Sequence, residues 1–148
     1  MTNTSDVFRI YLSHLIRGPK GDAASDQEIA NNIQEHIKVG EEMRAYLIDW
    51  EKMEGFPKSY LYVPADHDEF VQIAYKRKYI NEEQILDTDC AIIERSNMLI
   101  AYGNFTVSRG MKVEINYASD KGIPILYLPK LSVDTMNTLK LTIKLLLS

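Results

Sequence analysis

Four short apolar runs, parted from one another by longer stretches that read as helices, constrain this 148-residue chain more than any other feature. The first, Val7-Phe8-Arg9-Ile10-Tyr11-Leu12, is rich in β-branched and aromatic residues and stops at a segment holding Gly18, Pro19 and Gly21, which reads as a strand and a wide loop. Ser25 and Glu28 have the spacing of a capping box. Beyond them Ile29, Ile33, Ile37, Met43, Leu47 and Trp50 recur at helical intervals and predict a long amphipathic helix over 26–50. Gly55 and Pro57 end it, and Tyr60-Leu61-Tyr62-Val63 before Pro64 predicts a second strand. The mostly polar stretch 66–95 holds one or two helices. Asn97-Met98-Leu99-Ile100-Ala101-Tyr102 is nearly all apolar, as a central parallel strand covered on both faces has to be. A loop over 103–110, a helix over 111–121 stopped by Gly122, a strand over 123–128 and a closing helix over 133–147 complete the pattern. Strands alternating with helices imply right-handed βαβ units. The expected fold is therefore a flavodoxin/Rossmann-like α/β domain over 1–148, a parallel sheet flanked by helices.

In such a sheet the ligand crevice lies beyond the carboxyl ends of the strands, so the loops after Leu12, Val63 and Tyr102 converge there. The first of them, Ser13-His14-Leu15-Ile16-Arg17-Gly18-Pro19-Lys20-Gly21, lacks both the P-loop spacing and the Gly-x-Gly-x-x-Gly dinucleotide fingerprint. It is either a solvated loop or a Gly-containing turn whose amides and Arg17 cradle an anion. Ser108 reads most simply as the N-cap of the helix that follows, a place where free amides also favour phosphate. Glu114 sits one turn into that helix between Val113 and Ile115, turned either to solvent or into the crevice, and Asp87 and Asp89 upstream offer a second carboxylate. Two carboxylates flanking a glycosidic carbon are the usual equipment for cleaving it.

Other chemistries have less support. His14, His36 and His67 share no ligand spacing with one another or with Cys90, so no metal is expected. Cys90 has no basic activator beside it and reads as a small packed hydrophobe. Tyr11, Tyr62 and Tyr102, near strand ends, are either half-buried structural tyrosines or stacking platforms for a base. Seventeen Lys and Arg against twenty-one Asp and Glu give a net charge of −4, which argues against a nucleic-acid partner. A lone cysteine, no basic leader followed by an apolar run, and no apolar stretch of roughly 18 residues point to a cytoplasmic protein without a membrane segment.

Taken together, Ile10-Tyr11-Leu12-Ser13 running into Ile16-Arg17-Gly18, Asp89 eight residues before the third strand, and Ser108-x-Gly110-x-x-x-Glu114 resemble the nucleoside 2-deoxyribosyltransferase-like superfamily. Within it the likeness is greatest to the 2'-deoxynucleoside 5'-phosphate N-hydrolases, and it extends to Glu114-Ile115-x-x-Ala118 and Gly122-Ile123-Pro124-Ile125. The resemblance implies that Glu114 is the nucleophile attacking C1' of the sugar, that Asp89 holds the sugar and assists proton transfer, and that Tyr11 orients Glu114 or the ribosyl group. It implies a 5'-phosphate pocket of Arg17, Gly18, Ser108 and Gly110, with His14 and Ile16 as further substrate contacts, no cofactor, and a homodimer. This chain departs from the family in four places. His14-Leu15 replaces Gly-Ser, and His14 is then the candidate substitute for a lost phosphate donor. Pro19 stands for a second glycine, Pro64 lies near a usual histidine, and Asn116 replaces a glycine. The expected activity is hydrolysis of a (deoxy)nucleoside 5'-monophosphate to free base and sugar 5-phosphate through a glycosyl–Glu114 intermediate. A nucleoside deoxyribosyltransferase, a non-catalytic nucleotide sensor and, more distantly, a TIR-like NAD glycohydrolase are the alternatives.

Overall fold

Residues 7–148 are described by a computed structural model, in which the alternation of runs becomes a four-stranded sheet. Strands β1 (Phe8–Ser13), β2 (Ser59–Tyr62), β3 (Met98–Tyr102) and β4 (Ile125–Leu128) lie in the order β2-β1-β3-β4, all parallel. Their register aligns Ile10 with Leu61 on one side and Met98 on the other, and Leu99 with Ile125. Helices α1 (Asp26–Glu51), α2 (Asp68–Lys76), α3 (Glu82–Glu94), α4 (Arg109–Asp120) and α5 (Val133–Leu147) supply the two outer layers. The flavodoxin/Rossmann-like α/β expectation holds.

Two apolar clusters separate the layers, and the period-two alternation of β1 assigns its side chains between them. Phe8, Ile10 and Leu12 pack with Met43, Leu47 and Trp50 of α1 and with Leu139 and Ile143 of α5. Tyr11 points the other way, joining Leu99, Ala101 and Ile93 with Met111, Ile115 and Ala118 of α4. The chain leaves β1 for β2 on one side and returns to β3 on the other. The order therefore reverses between β1 and β3, and their carboxyl ends open the crevice.

Boundaries differ from the expectation where local chemistry decides them. The capping box at Ser25 and Glu28 forms and starts α1 at Asp26. The stretch 66–95 resolves into two helices, because Lys78 turns at φ 62 and Asn81 with Gln84 builds a second capping box that starts α3. Helix α4 begins at Arg109, two residues early, since Ser108 caps it by accepting from the Met111 amide at 3.2 Å. Strand β4 begins only at Ile125. Pro124 has no amide to give and joins through its carbonyl, which accepts from Leu99 N–H at 2.9 Å. Among the described residues no helix is long and apolar enough to cross a membrane.

Candidate active site

The site grows from β1. Tyr11 and Ser13 lie two residues apart on one strand, so their side chains leave on the same face, toward α4. Glu114 shares the inner face of α4 with Met111, Ile115 and Ala118 and is only 5% exposed. Its carboxylate accepts from the Tyr11 hydroxyl at 2.5 Å through Oε2 and from the Ser13 hydroxyl at 2.7 Å through Oε1. Each oxygen thus has its own donor, which fixes the plane of the carboxylate and favours its ionised form. Burial and the charge of Asp89 act against that preference and hold Glu114 above the usual carboxylate range.

Asp89 reaches the same place from α3. Burial raises its carboxyl, and the neighbouring Tyr11 hydroxyl partly offsets the rise, so Tyr11 stands between the two carboxyl groups. Burial and Glu114 in turn drive the Tyr11 hydroxyl well above its ordinary value, so it stays a donor. Asp87, the other carboxylate upstream, is exposed and takes no part. Asp68, the first residue of α2, joins them: it is 3% exposed, and burial and Asp89 push its carboxyl up to about 7. Tyr62 stacks on Tyr11 with ring centroids 5.4 Å apart, and His67 stacks on Tyr62 at 5.1 Å, which carries an aromatic column from Glu114 to the rim.

The opposite end is suited to an anion. Ile16 is anchored by Asn32 of α1, whose amide donates to its carbonyl at 2.7 Å, and the loop then passes through Gly18 at φ 71, where a side chain would be strained. Arg17 lies over the Tyr75 ring, its Cζ 5.1 Å from the centroid. Ser108, 6% exposed, caps α4, and Gly110 leaves the amides of the first turn uncovered. Arg109 spans the rim to Glu82 with an ion pair of 3.0 Å.

A cavity of about 240 Å³ joins the two ends, bounded by Arg17, Gly18, Ser108 and Gly110 at one and by Asp89, Asp68 and Glu114 at the other. Ile16 and His14 also line it. The donor role expected of His14 does not survive, however. Its Nε2 accepts from the Ala65 amide at 3.1 Å, so its Nδ1 carries the proton and donates to Leu15 O at 3.1 Å. Buried against His36 at a centroid distance of 4.4 Å, it is held neutral, its pKa pushed down to about 3 chiefly by burial. Tyr102 packs edge-on against His36 on the α1 face, away from the cavity. Tyr11 is wholly buried behind Glu114, so of its two expected roles the geometry fits orientation of Glu114. Cys90 is half-buried and remains a thiol, burial and the neighbouring carboxylates pushing it up to about 11. Pro19, Lys20 and Asp22 have side chains outside the described set.

Three participants escaped the sequence reading. Ser13 was recoverable from its i+2 relation to Tyr11. Asp68 and His67 lie in a polar segment without a periodic signal, and only the fold brings them to the cavity. The chain matches no family model, and no curated protein matches it.

Proposed function

We propose that the protein is an N-glycosidase that hydrolyses the base–sugar bond of a (deoxy)nucleoside 5'-monophosphate. The observation that carries this reading is Glu114, a buried carboxylate held at both oxygens, opening on a cavity that contains a second carboxyl group and a capped helix N-terminus. The sequence resemblance to the 2'-deoxynucleoside 5'-phosphate N-hydrolases points the same way, and it implies a homodimer as well.

The chemistry follows from the electrostatics. Burial raises both carboxyl groups and the charge of Asp89 raises Glu114 further, so the pair holds about one proton at neutral pH. At rest the shared proton sits on Glu114, and the reactive arrangement forms when it passes to Asp89 and leaves Glu114 ionised, as its two hydroxyl donors favour. Glu114 attacks C1', the C1'–N bond breaks with its electron pair passing to the base, and the base takes the proton from Asp89. Water then attacks C1' of the glycosyl ester. Asp89 removes its proton, the C1'–Oε bond breaks, and sugar 5-phosphate leaves with Glu114 restored. Arg17, Ser108 and the first-turn amides of α4 hold the phosphate, and the loop amide at Gly18 approaches it without a side chain between.

The test is incubation with ribo- and deoxyribonucleoside 5'-monophosphates and the matching free nucleosides, followed by chromatography for free base. Base release from monophosphates without an added acceptor base is expected. Release from free nucleosides that requires an acceptor replaces this reading with the deoxyribosyltransferase. Gel filtration tests the dimer, and a monomer at working concentration overturns it.

A further inference from the structure

Among the described residues, one buried side-chain oxygen has no hydrogen-bond partner: Oδ2 of Asp68. A polar atom left unsatisfied in this way has given up its hydration with nothing in return, so natural proteins seldom tolerate one without a use. A carboxylate at the first position of a helix normally faces solvent, where it complements the helix dipole, whereas this one is 3% exposed and turned to the company of Asp89 and Glu114. It lines the cavity, next in sequence to His67, the outer ring of the Tyr11–Tyr62–His67 column. A planar base attached at C1' over Glu114 lies along that column, with its edge toward α2.

Resting on the glycosidase reading, we propose that Asp68 is the specificity-determining contact for the leaving base, accepting an N–H from an amino-bearing base edge. The surroundings select amino over oxo groups. Asp68 in its ionised form offers only acceptors, so a base carbonyl aimed at it meets lone pairs, whereas an exocyclic amino group supplies donors.

The experiment compares pairs that differ in one group: cytidine against uridine 5'-monophosphate and adenosine against inosine 5'-monophosphate, in ribo and deoxy forms, with wild type and Asp68→Asn. Asn keeps the shape but its amide can offer either a carbonyl or an N–H. In wild type the amino member of each pair is expected to be cleaved with at least about tenfold higher kcat/KM. In Asp68→Asn that ratio falls toward unity, because the amino member loses more than the oxo member. An equal loss for both members would make Asp68 merely structural and overturn the proposal, as would wild-type preference for the oxo member or no preference. Calorimetric binding of the same nucleotides to Glu114→Gln, with and without Asp68→Asn, separates the two claims. If wild type releases no base but Glu114→Gln binds the amino members more tightly, and Asp68→Asn abolishes the difference, Asp68 keeps its role and the glycosidase reading alone fails. If nothing binds, both fail. Circular dichroism of Asp68→Asn confirms that the comparison is made on folded protein.

Discussion

Glu114→Gln tests the centre of the argument by two independent readouts. The substitution keeps side-chain length and removes the charge. A Gln cannot attack C1', so base release is expected to fall at least about a hundredfold, equivalent to roughly 2.7 kcal/mol of transition-state stabilisation. The second readout needs no substrate. Burial and Asp89 push Glu114 from 4.5 up to about 8, so the folded state holds a proton that the unfolded chain has already lost at neutral pH. With folded pKa above unfolded, stability is retained at acid pH and declines as pH rises from the unfolded carboxyl value through the folded one. Wild type therefore loses, between about pH 4 and pH 8, a contribution that the variant does not, on the order of 5 kcal/mol for a shift of this size. The variant also leaves a hydroxyl of Tyr11 or Ser13 poorly paired. That penalty is the same at every pH and cancels when the stability difference at pH 5 is subtracted from that at pH 8.5. Urea unfolding of both proteins across this range measures the difference. A stability difference that stays flat with pH would show that Glu114 is not held protonated by burial and Asp89. Turnover near that of wild type would remove Glu114 as nucleophile.

Asp89→Asn should lower kcat more than it raises KM if its proton moves in the transition state, and steady-state kinetics showing a pure KM effect would reduce it to a ground-state contact. Tyr11→Phe removes the donor to Glu114 Oε2, so the acid limb of the kcat–pH profile should move to higher pH, and an unmoved limb would deny Tyr11 its orienting role. His14 should show no imidazole protonation by NMR between pH 8 and pH 4, because its pKa is pushed down to about 3; an ordinary titration near 6.5 would contradict the burial that holds it neutral. Loss of either Ser108 or Arg17 should weaken monophosphate use by roughly ten- to a hundredfold and leave the free nucleoside nearly untouched. In Ser108→Ala about 1 kcal/mol of lost stability from the missing cap has to be measured by urea unfolding and set apart from the binding defect.

What could be read in the sequence was whatever depends on near neighbours. The strand runs and the Ser25–Glu28 box are local statements, and the sheet and α1 followed from them. The spacing from Ser108 to Glu114 is likewise local to one helix, which is why both ends of the cavity could be named in advance. Pairings across the sheet were another matter. That Tyr11 and Ser13 serve the same carboxylate depends on β1 facing α4 at one register, more than a hundred residues away along the chain. His14 shows the limit most sharply. As a string it is a cationic or donor group in a phosphate loop, and only the approach of the Ala65 amide, delivered by the turn after β2, forces its Nε2 to accept and so removes it from the donors.

That loss has a consequence for the phosphate end. With His14 neutral and both its nitrogens engaged, the positive character there comes, among the described residues, from Arg17, Arg109 and the amides of α4, and Arg109 is already shared with Glu82. The double variant Arg17→Gln with Ser108→Ala should therefore abolish the advantage of a monophosphate over its nucleoside, since what remains is one paired side chain and partial charges. His14→Gln should leave that advantage intact, because a glutamine carbonyl can accept from Ala65 N–H as Nε2 does, and no bond to the phosphate is lost. The ratio of kcat/KM for monophosphate and nucleoside, measured in the three proteins, reads both effects at once. If His14→Gln erases the ratio while the protein stays folded, the histidine does contact the phosphate, and its ring must leave the Ala65 amide when substrate enters.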